Sequence, residues 1–361
     1  MQDKVKNIIV TIGFVSLLIL VFLINILAKD KDVSVTERRK LSQFPEVSIS
    51  KLLKGETTSK FENYAVDQFV GRDSFRTIKA FYSTNIYKQK DNNNLFEKDG
   101  AIYKMEYPLS NTNIRKSASK INDVYNTYLK YMNVYYAIIP DKNYYLENDD
   151  HLKVDYNRLK EIMSNKLTQM NYIDIWDDLK LENYYKTDLH WKQENLQNVV
   201  AQIQANMNLE STINTQYTAK DMGNFYGSYY SQLGLNLPAD KLYVLTNETL
   251  ENCVTYNYEK QKLGKIYDQP TTADKYDIYL SGATPLISIE NPNAKTDKEL
   301  LIFRDSFGSS IAPLLVENYK KITLIDLRYI SSEILGNYIE FDNQDVLFLY
   351  STVVLNQNIL R

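Results

Sequence analysis

Apolar and polar positions divide the chain into stretches of different character. The first is a run from Ile8 to Ala28 that carries no charge and is interrupted only by Thr11, Gly13, Ser16 and Asn25. At roughly 1.5 Å per residue, a helix of that length spans about 30 Å, the thickness of a bilayer's hydrocarbon core. The pattern predicts a transmembrane helix. A cleaved signal peptide has a shorter apolar region and leaves through a small-x-small site, whereas this run leaves through Asn25-Ile26-Leu27-Ala28-Lys29, so an uncleaved anchor is expected. Lys4 and Lys6 on one side face Lys29, Lys31, Arg38 and Arg39 on the other, a count that slightly favours the opposite orientation. The tail ahead of the anchor is nevertheless very short, and such signal anchors deliver the following domain to the outer face. The expected layout is a cytoplasmic tail over 1–7, an anchor over 8–28, a polar tether over 29–60 and an extracytoplasmic domain over 61–361.

Beyond the tether the periodicity becomes that of a globular protein. Phe61, Tyr64, Ala65, Phe69, Ile78, Phe81 and Tyr82 recur near helical spacing and predict a helix over 61–87. Asp99-Gly100 inside Leu95–Lys104 predicts a hairpin. A helix over 113–130, a strand over 133–139 closed by Pro140, a helix over 154–170 and a strand over 172–176 follow, and this alternation is the rhythm of a parallel α/β sheet. Residues 192–207 again read as a helix. Residues 208–299 break the rhythm, with short β-like pieces at 241–245 and 277–280, and are either an insertion on the same sheet or a separate irregular subdomain. The rhythm returns with buried strands over 300–303, 321–327 and 345–350 and a helix that includes 314–319. No internal repeat is visible.

Composition narrows the class. The chain has 361 residues, 44% hydrophobic and 24% charged, with a net charge of −3. That describes a folded protein with a core and no basic surface for nucleic acid. Its 30 tyrosines suit either sugar-binding surfaces or half-buried strands. Cys253 is the single cysteine, which excludes an internal disulfide and a cysteine zinc site and reads as a small buried hydrophobe.

Candidate chemistry gathers at the stretch Leu300–Ser310, LLIFRDSFGSS. An apolar strand there hands over to a helix at Ser306. A serine in that place either caps the helix or stands as an exposed nucleophile near free backbone N–H groups. The tetrapeptide Arg-Asp-Ser-Phe also occurs at Arg72–Phe75 without a buried strand before it, where Asp73 or Ser74 reads as a helix cap. The chain has only two histidines. His151, in a polar stretch, reads as a solvated loop residue. His190 follows Asp188 by two positions, and in an extended segment such residues share a face, so the carboxylate reaches the imidazole and orients it. The alternative is a satisfied polar residue beside Trp191. No third ligand accompanies His190, so no metal site is expected. Asp188, His190 and Ser306 together make an acid, a base and a nucleophile. For an oxyanion hole the backbone N–H of Ser306 or Phe307 is the first choice and Gly282 a second. Arg328 and Tyr329, after a strand, are placed at the rim, with a strand-end ion pair and a core tyrosine as the alternative. Arg304 and Asp305 flank the serine and either serve the site or anchor the turn, Trp191 is counted with the substrate-binding set, and Lys142 is a weaker candidate.

The pair TDLHW at 187–191 and RDSF at 304–307 resembles the SGNH-hydrolase-like acyltransferases of the alginate O-acetylation type, and among them the DHHW proteins of Gram-positive bacteria. The resemblance extends to residues 37–45, 67–73, 138–142, 225–230 and 326–329. Leu189 stands where the family nickname has its first histidine, and the order of the motifs reverses that of an ordinary SGNH hydrolase, as in the alginate-type relatives. The reversal leaves the oxyanion-hole glycine and asparagine of that family without a simple counterpart here. The resemblance implies an SGNH-like α/β sandwich with a mostly parallel sheet. It implies transfer of an acyl group, most often acetyl, to a cell-surface polysaccharide, without a cofactor. It also implies a multi-pass membrane-bound O-acyltransferase as the partner that supplies the acyl group. A carbohydrate esterase using the same triad, and a non-catalytic glycan-binding or scaffold protein, are the alternatives.

Overall fold

The computed structural model describes all residues except Met1, Val35, Thr36, Arg38, Val47, Ile49, Leu52, Leu53, Asn148, Asp149 and Thr271. Arg38 of the 37–45 segment, parts of the expected tether and the Asn148-Asp149 pair before His151 therefore lie outside the described residues. The chain forms two compact units, one of residues 1–89 with 234–236 and one of the remaining residues. The helices around 61–87 fall in the first unit, with the N-terminal apolar helix.

In the first unit, α1 (Gln2–Leu27) is long and apolar enough to cross a membrane. A two-residue strand pair follows, β1 (Val33–Ser34) with β2 (Arg39–Lys40). Then come α2 (Glu56–Asp67) and α3 (Arg72–Phe81), the latter running on into a π-helical turn, Tyr82–Ile86. The single helix expected over 61–87 is thus interrupted at Gly71, whose φ of 78° suits a residue without a Cβ. Gly71 is also the N-cap of α3, so neither Asp73 nor Ser74 caps it.

The second unit is built on an eight-stranded sheet. Its elements up to residue 233 are the hairpin β3 (Leu95–Lys98) and β4 (Ala101–Lys104), α4 (Asn111–Val124), β5 (Val134–Ile139), α5 (Tyr156–Lys166), β6 (Asn171–Tyr172), α6 (Gln197–Asn206), β7 (Thr218–Phe225) and α7 (Ser228–Leu233). Then come β8 (Asp240–Thr246), α8 (Glu248–Asn252), β9 (Val254–Asn257), β10 (Lys262–Gly264), β11 (Leu286–Glu290), β12 (Glu299–Arg304), α9 (Phe307–Ile311), β13 (Lys321–Ile325), β14 (Asp345–Ser351) and α10 (Thr352–Gln357). The sheet order is β10-β9-β11-β13-β12-β14-β5-β6. The strands from β13 to β6 run parallel, while β9, β10 and β11 add an antiparallel edge. Central strands covered on both faces read as unbroken apolar runs, and β5, Leu300–Phe303 and Val346–Tyr350 are all buried. Phe303 stacks on Phe348 across the β12–β14 ladder at 4.5 Å. α4 packs against α5 and α10.

Several elements differ from the sequence expectation. The region 208–299 packs on the same sheet, because it supplies β9, β10 and β11; β7 and β8 pair separately. The strand expected over 172–176 shrinks to β6, because Asp174 accepts the Trp176 N–H at 3.0 Å and turns the chain. The β-like piece at 277–280 overlaps a 3-10 helix, Lys275–Ile278, which Asp274 caps through the Tyr276 N–H at 2.8 Å. The helix around 314–319 is likewise 3-10, Ala312–Asn318. His151 is not a solvated loop residue, since its ring stacks on Phe96 at 3.5 Å and its Nε2 lies 2.9 Å from the Lys90 carbonyl. Cys253 is fully buried, and burial pushes its thiol up to about 12.

Candidate active site

A parallel sheet delivers the ends of its strands to one edge, and loops there carry the polar side chains. At that edge lie Pro140–Tyr145 after β5, Asp305–Phe307 after β12, Asp326–Tyr329 after β13 and Ser351 ending β14. Ser306 follows β12 by two residues and occupies the N-cap position of α9, yet its hydroxyl makes no cap hydrogen bond. The hydroxyl instead lies 2.7 Å from His190 Nε2. His190 Nδ1 lies 2.5 Å from Asp188 Oδ1. The other Asp188 oxygen accepts the Ser228 N–H at 2.6 Å. Asp188 and His190 are buried and Ser306 is partly exposed, so the hydroxyl is the solvent-facing end of the relay. With Nδ1 committed to a carboxylate, Nε2 is the nitrogen left to take a proton from the hydroxyl.

The i, i+2 spacing brings the pair together, though by a bend and not by an extended strand. Asp188 Oδ1 also accepts the backbone N–H of His190 at 3.0 Å, closing an Asx-type turn. That turn is clamped from two sides. The buried Lys142 ammonium donates to the carbonyls of Tyr185, Lys186 and Asp188 at 2.9, 3.1 and 2.8 Å. Burial pushes it down to about 7 against the pull of Asp188, Asp240 and Asp141. On the donor side, Asp240 accepts the N–H of Lys186 and Thr187 at 2.9 and 2.8 Å and the Thr187 hydroxyl at 2.6 Å. The imidazole lies flat on Tyr276, 3.9 Å between ring centres, and the Tyr276 hydroxyl donates to Ser310 Oγ at 2.8 Å.

Gly227 lets the α7 start approach this turn. A Cβ there would sit 2.2 Å from Asp188 Cβ and 2.5 Å from the Thr187 carbonyl. Gly227→Ala must therefore displace Asp188 or the Ser228 N–H that holds it. We expect it to lower turnover about 100-fold, the typical cost of misplacing catalytic groups by about an ångström, and to destabilise the fold by about 1–3 kcal/mol as overpacking does. Turnover of an activated acyl ester and the urea midpoint check this; wild-type values for both would refute the crowding argument.

The remaining candidates sort by contact. Trp191 does not face substrate. It is fully buried, its indole N–H reaches Ser310 Oγ at 2.8 Å and the Phe307 carbonyl at 3.2 Å, and so it ties the histidine segment to α9. Arg304 is not at the rim either. Its guanidinium is wholly buried against Asp326, Thr284 and the Asp305 carbonyl, and burial lowers its pKa. Asp305 anchors the turn, accepting the Phe307 N–H at 3.1 Å and the Ser351 N–H at 2.8 Å. The Phe307 N–H is thereby used, which leaves the Ser306 N–H as the candidate of that pair. Gly282 is a turn glycine with φ 77°, and its N–H donates to the Tyr279 carbonyl at 3.2 Å. It therefore offers no donor to an oxyanion. Arg328 spends its guanidinium on Asp326 at 2.8 and 2.6 Å, the strand-end ion pair expected as its alternative. Tyr329 is no core tyrosine; it is 49% exposed beside Arg328 and stays available at the rim. Among the described residues no group of three or more His, Cys, Asp or Glu side chains forms a metal cluster.

Lys142, Asp240, Gly227 and Tyr276 complete the site, and only Lys142 draws notice in the sequence, through its place after Pro140. The 225–230 segment carries Gly227 and Ser228, but nothing local reveals that it touches Asp188.

The mostly parallel sheet, with Ser306, His190 and Asp188 brought together at one edge, has an SGNH-hydrolase-like α/β fold. Residues 163–325 match the family model described as DHHW protein, so the resemblance read from the sequence to that family is borne out. Among solved structures, a DHHW family protein from Eubacterium siraeum aligns with a TM-score of 0.59 at 20% identity over 74% of this chain and 95% of its own. Bacillus cereus PatB1 with a sulfonyl adduct aligns with a TM-score of 0.58 at 20% identity over 74% and 96%. A second structure of Bacillus cereus PatB1 gives 0.54 at 20% identity over 74% and 97%. These likenesses show the shared fold. Comparison with curated proteins gives no match.

Proposed function

We propose that the protein is a membrane-anchored, serine-dependent O-acyltransferase that places an acyl group, acetyl in the simplest case, on a hydroxyl of a cell-surface polysaccharide. The observation that carries this reading is the unbroken line from Asp188 through His190 to Ser306, at 2.5 and 2.7 Å. In this mechanism His190 Nε2 takes the Ser306 proton as Oγ attacks the donor's acyl carbon, and the donor leaves with that proton. The Ser306 N–H faces the developing oxyanion. A sugar hydroxyl then gives its proton to His190 and takes the acyl group, and His190 passes that proton to Ser306 Oγ as the acyl–Oγ bond breaks, which restores the serine. The Asp188 charge stabilises the imidazolium in both steps. The resemblance to the alginate-type acyltransferases supports a carbohydrate acceptor and a multi-pass membrane-bound acyltransferase as donor partner.

The experiment is product analysis. With an activated acetyl ester and an oligosaccharide, the expected result is acetylated oligosaccharide formed faster than free acetate. Acetate released at the same rate with and without oligosaccharide identifies an esterase. No turnover, and no labelling of Ser306 by a serine-reactive phosphonate on the folded protein, identifies a non-catalytic glycan-binding protein.

A further inference from the structure

The first unit carries a helix that exposes several large apolar side chains. On α3 and the turn after it, Phe75, Ile78, Phe81 and Tyr82 are 60, 50, 49 and 50% exposed. Arg72 and Arg76 turn inward to pair with Glu37, while Asp73 and Lys79 stay exposed beside the apolar side chains. Arg39 extends the cluster from Glu37 to Asp67 at 2.9 and 2.5 Å. An amphipathic helix in water buries its apolar residues, and contiguous exposed apolar patches mark interfaces.

The neighbouring element indicates what covers the patch. The Val70 N–H donates to Asn25 Oδ1 at 2.9 Å, and Asn25 lies two residues from the end of α1. Phe69 and Val70, which lead into α3, are therefore held at the level where the apolar span ends. Lys29 and Lys31 follow the span, and both line the cavity beside Phe69–Ser74. Apolar rings at that depth, with ammonium groups next to them, match the acyl boundary and phosphate layer of a bilayer.

We propose that α3 lies in the membrane interface, with Phe69, Val70, Phe75, Ile78 and Tyr82 set into the acyl boundary of a phospholipid bilayer as a second membrane contact beside α1. The proposal rests on reading residues 8–28 as an anchor. Continuity with that anchor favours lipid over a protein partner.

The test uses the full chain with Phe75→Cys or Leu17→Cys carrying an environment-sensitive dye; native Cys253 is buried, and chain lacking either substitution controls for its labelling. The protein is reconstituted in vesicles of phosphatidylcholine and phosphatidylglycerol containing doxyl lipids. At position 75 the expected result is blue-shifted emission, quenched more by a doxyl group near the headgroup than by one near the chain end. At position 17, in the middle of the span, the order should reverse. Water-like emission at 75 with quenching at 17 overturns the proposal, leaves the anchor standing and assigns the patch to a protein partner. Water-like emission at both positions overturns the anchor reading and the proposal together.

Discussion

Ser306→Ala is expected to lower acyl transfer by about four orders of magnitude or more, the scale on which removing a nucleophile acts in serine enzymes. The fold should not change. The hydroxyl is partly exposed, makes no cap hydrogen bond in α9 and meets His190, so its loss leaves the sheet and the Asp305 anchor in place. Ser74→Ala is the paired control. It alters the same tetrapeptide in α3, where the serine is exposed and is not the cap, and should leave transfer at the wild-type rate. The measurement is transfer of acetyl from an activated ester, alongside urea unfolding of each variant. Full activity in Ser306→Ala would remove the serine from the mechanism.

Lys142→Met is expected to damage stability most. Methionine keeps much of the length and apolar stem but removes all three donors. The carbonyls of Tyr185 and Asp188 then lose this donor, while that of Lys186 keeps the Ile102 N–H at 2.8 Å, and a buried polar group deprived of its hydrogen bond costs about 1–3 kcal/mol, so the sum is roughly 2 kcal/mol or more before any water enters. Tyr103 and Tyr229, each with a ring centre 5.2 Å from the ammonium, lose a cation neighbour as well. Because the freed carbonyls belong to the turn that presents His190, turnover should fall together with the urea midpoint. A variant with wild-type midpoint and turnover would show that Asp240 alone holds the turn.

Much of the second unit is legible in the sequence, for identifiable reasons. β12 and β14 are visible as apolar runs because their residues are buried on both faces of the sheet, and Asp188–His190 is visible because a carboxylate two residues away reaches the ring in either an extended or a bent chain. The rest is decided at long range. Tyr276 under the imidazole and Asp240 above the turn come from a region with no periodicity, and no spacing rule connects them to residue 190. Arg304 and Trp191 look like site residues because they lie next to site residues in the sequence, yet long-range packing buries both side chains fully. α3 misleads in another way: its helical stripe is correctly visible, but periodicity alone does not say whether a stripe faces a core or a bilayer.

The distance along the chain between the two reacting groups has a consequence for assembly. His190 and Ser306 are 116 residues apart, and the stretch between them supplies Ser228, Asp240 and Tyr276. Closing so long a loop requires β12 to find its place between β13 and β14, a slow and entropically costly step that comes after local structure has formed. A chain cut anywhere before β14 loses a neighbour of the serine strand. On the proposed mechanism, reactivity is thus a property of the completed sheet and not of a trimmed fragment, and a nascent chain gains its nucleophile only when its last strand has docked.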